Sequence, residues 1–134
     1  MEGKLRDIDF LVVGAHRCGT TSLFKYLSAH PDIFMPARKE LFFFNRGDRY
    51  CRGKEWYLKE FFSGAKPHQI MGEASPEYML GGPCLCIKKT FPYVKIIAIL
   101  RNPVDRLFSH KRFDERKKLG PNLFFQLCLQ NNLQ

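Results

Sequence analysis

Asp9-Phe-Leu-Val-Val-Gly-Ala-His-Arg-Cys-Gly-Thr-Thr-Ser-Leu23 is an apolar run that enters a glycine-flanked turn and then opens a helix. Gly14 and Gly19 frame a turn in which unusual dihedrals and close backbone approach are open to the chain. The amides of residues 17–22 would converge at a positively polarised helix start, the geometry of a phosphate-binding loop. Nucleoside-triphosphatase loops read GxxxxGK[ST], with lysine directly after the second glycine. Thr20 stands at that place, and Arg17 is the only cation of the loop. Without the lysine clamp on β and γ phosphates, ATP or GTP hydrolysis and a P-loop kinase are both disfavoured.

Further along, Val94-Lys-Ile-Ile-Ala-Ile-Leu-Arg101 reads as a strand of the buried type, followed by a proline-started helix and by Ser109, eight residues after Arg101. A guanidinium is a rigid donor fork suited to phosphate oxygens. Open α/β sheets bind ligands at the carboxyl ends of their strands. Arg101 and Ser109 are therefore candidates for a second phosphate, and the two segments together fit a ligand with two.

The pattern predicts strands at about 9–14, 70–74 and 94–100, and helices at 20–29, 54–62, 83–91 and 103–118. His30-Pro31 ends the first helix, because the residue before proline avoids helical dihedrals. Pro103 suits the first turn of the last one. Strands alternate with helices, and Ile96-Ile-Ala-Ile-Leu100 is nearly continuous in apolar residues. The expected class is α/β, a three-layer fold with the phosphate loop on a central parallel sheet covered on both faces.

The net charge of +9 suggests an anionic ligand or polyanionic partner. Nucleic acid is not expected, since no zinc spacing, basic zipper or aromatic RNA-binding signature accompanies the charge. The run from Arg112 to Lys118 reads as the solvated face of a helix. Cys18, Cys51, Cys84, Cys86 and Cys128 form neither a disulfide framework nor a zinc pattern, the histidines have no ligand spacing, and no metal is expected. No apolar run reaches the roughly 18 to 20 residues that span a bilayer, and the charged N-terminus lacks a signal-peptide core. As written, the chain reads as cytoplasmic.

These segments together resemble the sulfotransferases that use 3'-phosphoadenosine 5'-phosphosulfate (PAPS). Three further blocks carry the resemblance toward the carbohydrate type, including the heparan sulfate enzymes: Arg38-Lys-Glu-Leu-Phe-Phe-Phe44, Gly53-Lys-Glu-Trp-Tyr57 and Gly72-Glu-Ala-Ser-Pro-Glu-Tyr78. The resemblance implies that Arg17, Cys18, Gly19, Thr20, Thr21 and Ser22 hold the 5'-phosphosulfate, with Cys18 as a small packing residue. It implies that Arg101 and Ser109 hold the 3'-phosphate, and that the acceptor is a hydroxyl or amine of a carbohydrate. Glu40 would be the catalytic base. Arg17 takes a place usually held by lysine; it preserves electrostatic stabilisation but not proton donation. Lys39 would support the site electrostatically, and Phe42, Phe43 and Phe44 read as core aromatics. Ala74 replaces a lysine of several relatives, while Glu73 and Ser75 would contact the acceptor or end the strand.

Domains of this kind are longer, so residues 1–134 are expected to be a truncated, N-terminal portion, with 1–8 and about 120–134 poorly ordered. Apolar residues at 123, 124, 127 and 129 suit a short amphipathic helix. As a fragment of a longer membrane-anchored protein, the chain would belong in the Golgi lumen. The alternative is a non-catalytic nucleotide- or glycan-binding fragment.

Overall fold

The computed structural model describes residues 5–117. The expected tail helix therefore lies outside the described residues, as do the poorly ordered stretches expected at 1–4 and about 120–134; Ile8, within the expected N-terminal stretch, is buried.

Strand β1 (Phe10–Gly14) is buried along its whole length. Its side chains alternate between two layers, as a strand's must. Phe10 and Val12 join Met35 and Ala74, with Leu23, Phe24 and Leu27 of helix α1 (Thr20–Ala29) packed against them. Leu11 and Val13 face the opposite layer, with Leu41, Phe43, Tyr57, Leu58, Phe62, Ile87 and Phe91.

Three more strands follow: β2 (Ile33–Phe34), β3 (Ile70–Ala74) and β4 (Lys95–Ala98). All pairings are parallel and the order is β2-β3-β1-β4. Between them come helices α2 (Gly47–Tyr50) and α3 (Gly53–Phe62), a 3-10 turn (Pro76–Met79) and helix α4 (Pro83–Thr90). Helix α5 (Pro103–Lys117) comes last. The expected α/β class with a central parallel sheet and helices on both faces is what the chain forms. Among the described residues, those up to Leu100 belong to one compact unit and those from Arg101 to Lys117 to a second.

All seven expected elements are present with small shifts at their ends. β2, α2 and the 3-10 turn were not anticipated, because two to four residues are too few for a period to show. Along β4 and just after it, Ile96 is 54% exposed and Leu100 73%. β4 is the end strand of the described sheet, and a cleft lined by Val13, Tyr78, Ile87, Phe91, Val94 and Ile96 opens beside it. An apolar run records burial in general but not a strand's place in the order.

β1 and β3 approach closely because Gly72 has no side chain. Gly72 pairs in register with Phe10, and a Cβ there would lie 2.2 Å from the Phe10 ring. Gly72→Ala should lower stability by about 1–3 kcal/mol through overpacking, read from urea unfolding, and Phe10→Leu in the same chain should restore part of it. An unchanged midpoint for Gly72→Ala would show that the ring has room to turn aside.

Candidate functional site

The carboxyl edge of the sheet gathers the candidate residues of the first unit. After β1 the chain turns sharply, with Arg17 at φ 63° and Gly19 at φ 94°. Cys18 is buried; its N–H bonds to Ala15 O at 3.2 Å and its thiol faces His16 O at 3.6 Å. Gly19 caps α1, and the first bond of the helix runs from Leu23 N to Gly19 O at 3.0 Å. By helix geometry, the amides of Thr20, Thr21 and Ser22 precede that bond and have no intrahelical acceptor. No side chain caps this end and no acidic residue occupies its first turn. The arrangement suits an anion, with the Arg17 side chain, half-buried, on the same turn.

Glu40 reaches this edge on a segment bonded to the end of β3. Its N–H bonds to Ala74 O at 3.0 Å, and Ser75 N in turn bonds to Val12 O of β1 at 3.0 Å. Both Glu40 and Phe42 have left-handed backbone dihedrals, φ 63° and 54°, which side-chain-bearing residues adopt only when their surroundings hold them. Leu41 and Phe43 plug the aromatic layer; Phe43 stacks on Tyr57 at 4.4 Å, and Phe44 meets Tyr78 edge-on at 5.3 Å. Phe42 is only half-buried, unlike its two neighbours. Arg49 donates to Leu41 O. Lys39 Nζ contacts Glu40 Oε1 at 2.6 Å, so the expected electrostatic support is a direct ion pair.

The expectation that Glu73 and Ser75 contact an acceptor is corrected by burial. Glu73 is 1% exposed and Ser75 0%, and both are enclosed beneath the aromatic layer. Glu73 accepts hydrogen bonds from Tyr57 Oη and, at 2.8 Å, from Ser75 Oγ. Burial raises the Glu73 carboxyl above its ordinary value, against hydrogen bonds from Tyr57, Tyr78 and Ser75 that act to lower it. The Tyr57 and Tyr78 hydroxyls are pushed well up, first by burial and then by the neighbouring Glu73. The sequence reading missed this cluster. The one available signal was a polar Glu-x-Ser at the end of an otherwise apolar strand, followed by a tyrosine at 78.

In the second unit, Asn102 caps α5: Val104 N–H bonds to its Oδ1 at 2.9 Å, and Arg106 N–H to its carbonyl at 2.9 Å. Arg101 precedes the cap, exposed, and Ser109 lies half-buried within the helix. His110 pairs with Asp114 one turn on, at 3.3 Å. Among the described residues no group of three or more histidine, cysteine or acidic side chains is placed to hold a metal, and no helix is long and apolar enough to cross a membrane.

A family model for the sulfotransferase domain matches residues 7–133. The chain belongs to this family. A solved sulfotransferase from Alicyclobacillus acidocaldarius is 35% identical and superposes with a TM-score of 0.73, covering 90% of this chain and 55% of that one. The membrane-associated sulfotransferase kil1 of Dictyostelium discoideum is 36% identical over 118 residues, 84% of this chain and 24% of its own length. Mouse heparan sulfate glucosamine 3-O-sulfotransferase 5 is 34% identical over 101 residues, 74% of this chain and 28% of its own. The chain thus spans about a quarter of these two curated relatives and about half of the solved one.

Glu73 gives the fold a pH dependence whose sign can be fixed. The folded state holds the Glu73 proton to higher pH than the unfolded chain, where the carboxyl titrates near its ordinary 4.5. Its contribution to stability is full below that value and is lost as pH rises through the folded value. The thermal midpoint of wild type, taken relative to that of Glu73→Gln and measured from pH 4.5 upward, should therefore fall as pH rises. Parallel curves would mean that the carboxyl titrates alike in both states.

Proposed function

We propose that this protein binds PAPS and transfers its sulfuryl group to a hydroxyl or amine of a carbohydrate acceptor. The observation that carries the reading is the meeting, at one sheet edge, of an uncapped anion-binding helix start and an anchored glutamate, Glu40. In the transfer, the acceptor oxygen or nitrogen attacks sulfur, the bond from sulfur to the bridging oxygen breaks, and 3'-phosphoadenosine 5'-phosphate leaves. Residues 17–22 hold the phosphosulfate through backbone amides, the hydroxyls of Thr20, Thr21 and Ser22, and the Arg17 guanidinium. Arg17 balances the charge that grows on the departing oxygen; a guanidinium stays protonated throughout, so its contribution is electrostatic. Glu40 takes the acceptor proton, with Lys39 fixing the orientation of its carboxylate. Arg101 and Ser109 bind the 3'-phosphate. No step requires a metal.

Residues 1–134 form the N-terminal portion of the sulfotransferase domain in this reading, and the membrane-associated and heparan sulfate relatives support a place in the secretory pathway. The second reading is a fragment that binds nucleotide or glycan without turnover.

Calorimetric titration with 3'-phosphoadenosine 5'-phosphate, beside ATP with magnesium, tests the donor site. Selective binding of the bisphosphate is expected, and preference for magnesium ATP would overturn the reading. Arg17→Ala should weaken binding about tenfold to a hundredfold, the equivalent of one lost charge-assisted contact, and Arg101→Ala should weaken it comparably. Glu40→Gln should retain bisphosphate binding and lose transfer; transfer at the wild-type rate would remove Glu40 as base, and binding without any transfer by the wild type would favour the second reading.

A further inference from the structure

We propose that Glu73 is a positioning residue for Glu40, acting through the hydroxyls of Ser75 and Tyr78. This rests on the reading of Glu40 as the base. Glu73 projects from β3 into the layer that holds Leu41 and Phe43, and no solvent reaches it. Its two oxygens receive hydroxyl protons: Ser75 donates to Oε1 at 2.8 Å and Tyr57 donates to Oε2, with the buried Tyr78 hydroxyl in the same cluster. A hydroxyl has one proton to give and two lone pairs to offer. Once Ser75 gives its proton to Glu73, its lone pairs are left as acceptors, as are those of the neighbouring Tyr78 hydroxyl. Those acceptors take the backbone of the Glu40 segment. Leu41 N–H bonds to Ser75 Oγ at 3.1 Å, and Phe43 N–H bonds to Tyr78 Oη at 3.0 Å.

Together with Glu40 N–H on Ala74 O, three amides within four residues are thereby tied to β3 and the turn after it. Buried amides need partners, and residues held at positive φ need surroundings that specify them. Glu73 sets the direction in which the two hydroxyls point, and so sets both conditions. It touches neither donor nor acceptor.

An amide at this position offers one accepting oxygen where the ionised carboxylate offers two, so above the folded titration of Glu73 the Glu73→Gln change turns a donor toward at least one hydroxyl. The displaced hydroxyl then competes poorly for Leu41 or Phe43. Amide hydrogen exchange of the full chain, residue by residue, reads this directly. In Glu73→Gln, the protection of Leu41 and Phe43 should fall at least tenfold, while Leu11 and Val12 of β1 keep theirs and affinity for 3'-phosphoadenosine 5'-phosphate stays within twofold. Glu73→Asp, which keeps the carboxylate but withdraws it by one methylene, should produce the same local loss and serves if the glutamine variant does not fold.

Unchanged protection at Leu41 and Phe43 would overturn the proposal, as would an equal loss at β1, which would reveal general destabilisation. The base assignment fails on a different readout, transfer by Glu40→Gln, so either can fall while the other stands.

Discussion

A carboxyl group enclosed among aromatic rings has to be matched by donors, because leaving it unsatisfied costs on the order of several kcal/mol. Glu73 imposes this condition on the larger of the two core layers. Tyr57 answers it from α3, Ser75 from the end of β3 and Tyr78 from the turn that follows. Three separate stretches of chain are thus fixed around one point. The apolar contacts of Phe43, Phe44 and Phe91 supply more of the burial energy, yet they tolerate sliding and rotation that directed hydrogen bonds do not. The polar cluster therefore selects one packing among those that the rings alone would allow.

The left-handed dihedrals at the site follow from the same economy of backbone. Glu40 and Phe42 each cost about 1–3 kcal/mol relative to relaxed conformations, and the alternation between them turns Leu41 and Phe43 into the core. Burying those two side chains returns about 1.5–3 kcal/mol apiece. The strain and the burial are of similar size, which leaves the hydrogen bonds at 40, 41 and 43 to decide the conformation. Arg17 has the same backbone sign in the phosphate loop, where the sharp turn brings the chain from the top of β1 into α1.

Local pattern made most of the fold legible. The apolar run before Gly14 could only be a buried strand, and Gly19 followed by Thr20 marked the helix start where it is found. Pro31 and Pro103 bound their helices as their fixed rings require. The family comparison agrees with the motifs that suggested the resemblance. What escaped the sequence depends on distant partners. Glu73 reads from its sequence as an acceptor contact or the end of a strand until Tyr57, sixteen positions earlier, is seen to donate to it. The exposure of Ile96 likewise depends on β4 being the end strand of the described sheet, which no window around Ile96 contains.

Strand order also explains how residues far apart in sequence come to one edge of the sheet, where the proposed transfer would use them. β3 lies beside β1, and Gly72 leaves room for the Phe10 ring on one face of the pair. The backbone then links the two halves of the edge in series: Val12 O accepts from Ser75, and Ala74 O accepts from Glu40. Glu40 is therefore separated from the strand that launches the phosphate loop by a short path of rigid backbone rather than by flexible side chains. An in-line transfer is sensitive to displacements of about 1 Å. A base carried on a free loop could not hold that tolerance; Glu40, in the role proposed for it, is pinned by its own amide and has its carboxylate paired with Lys39.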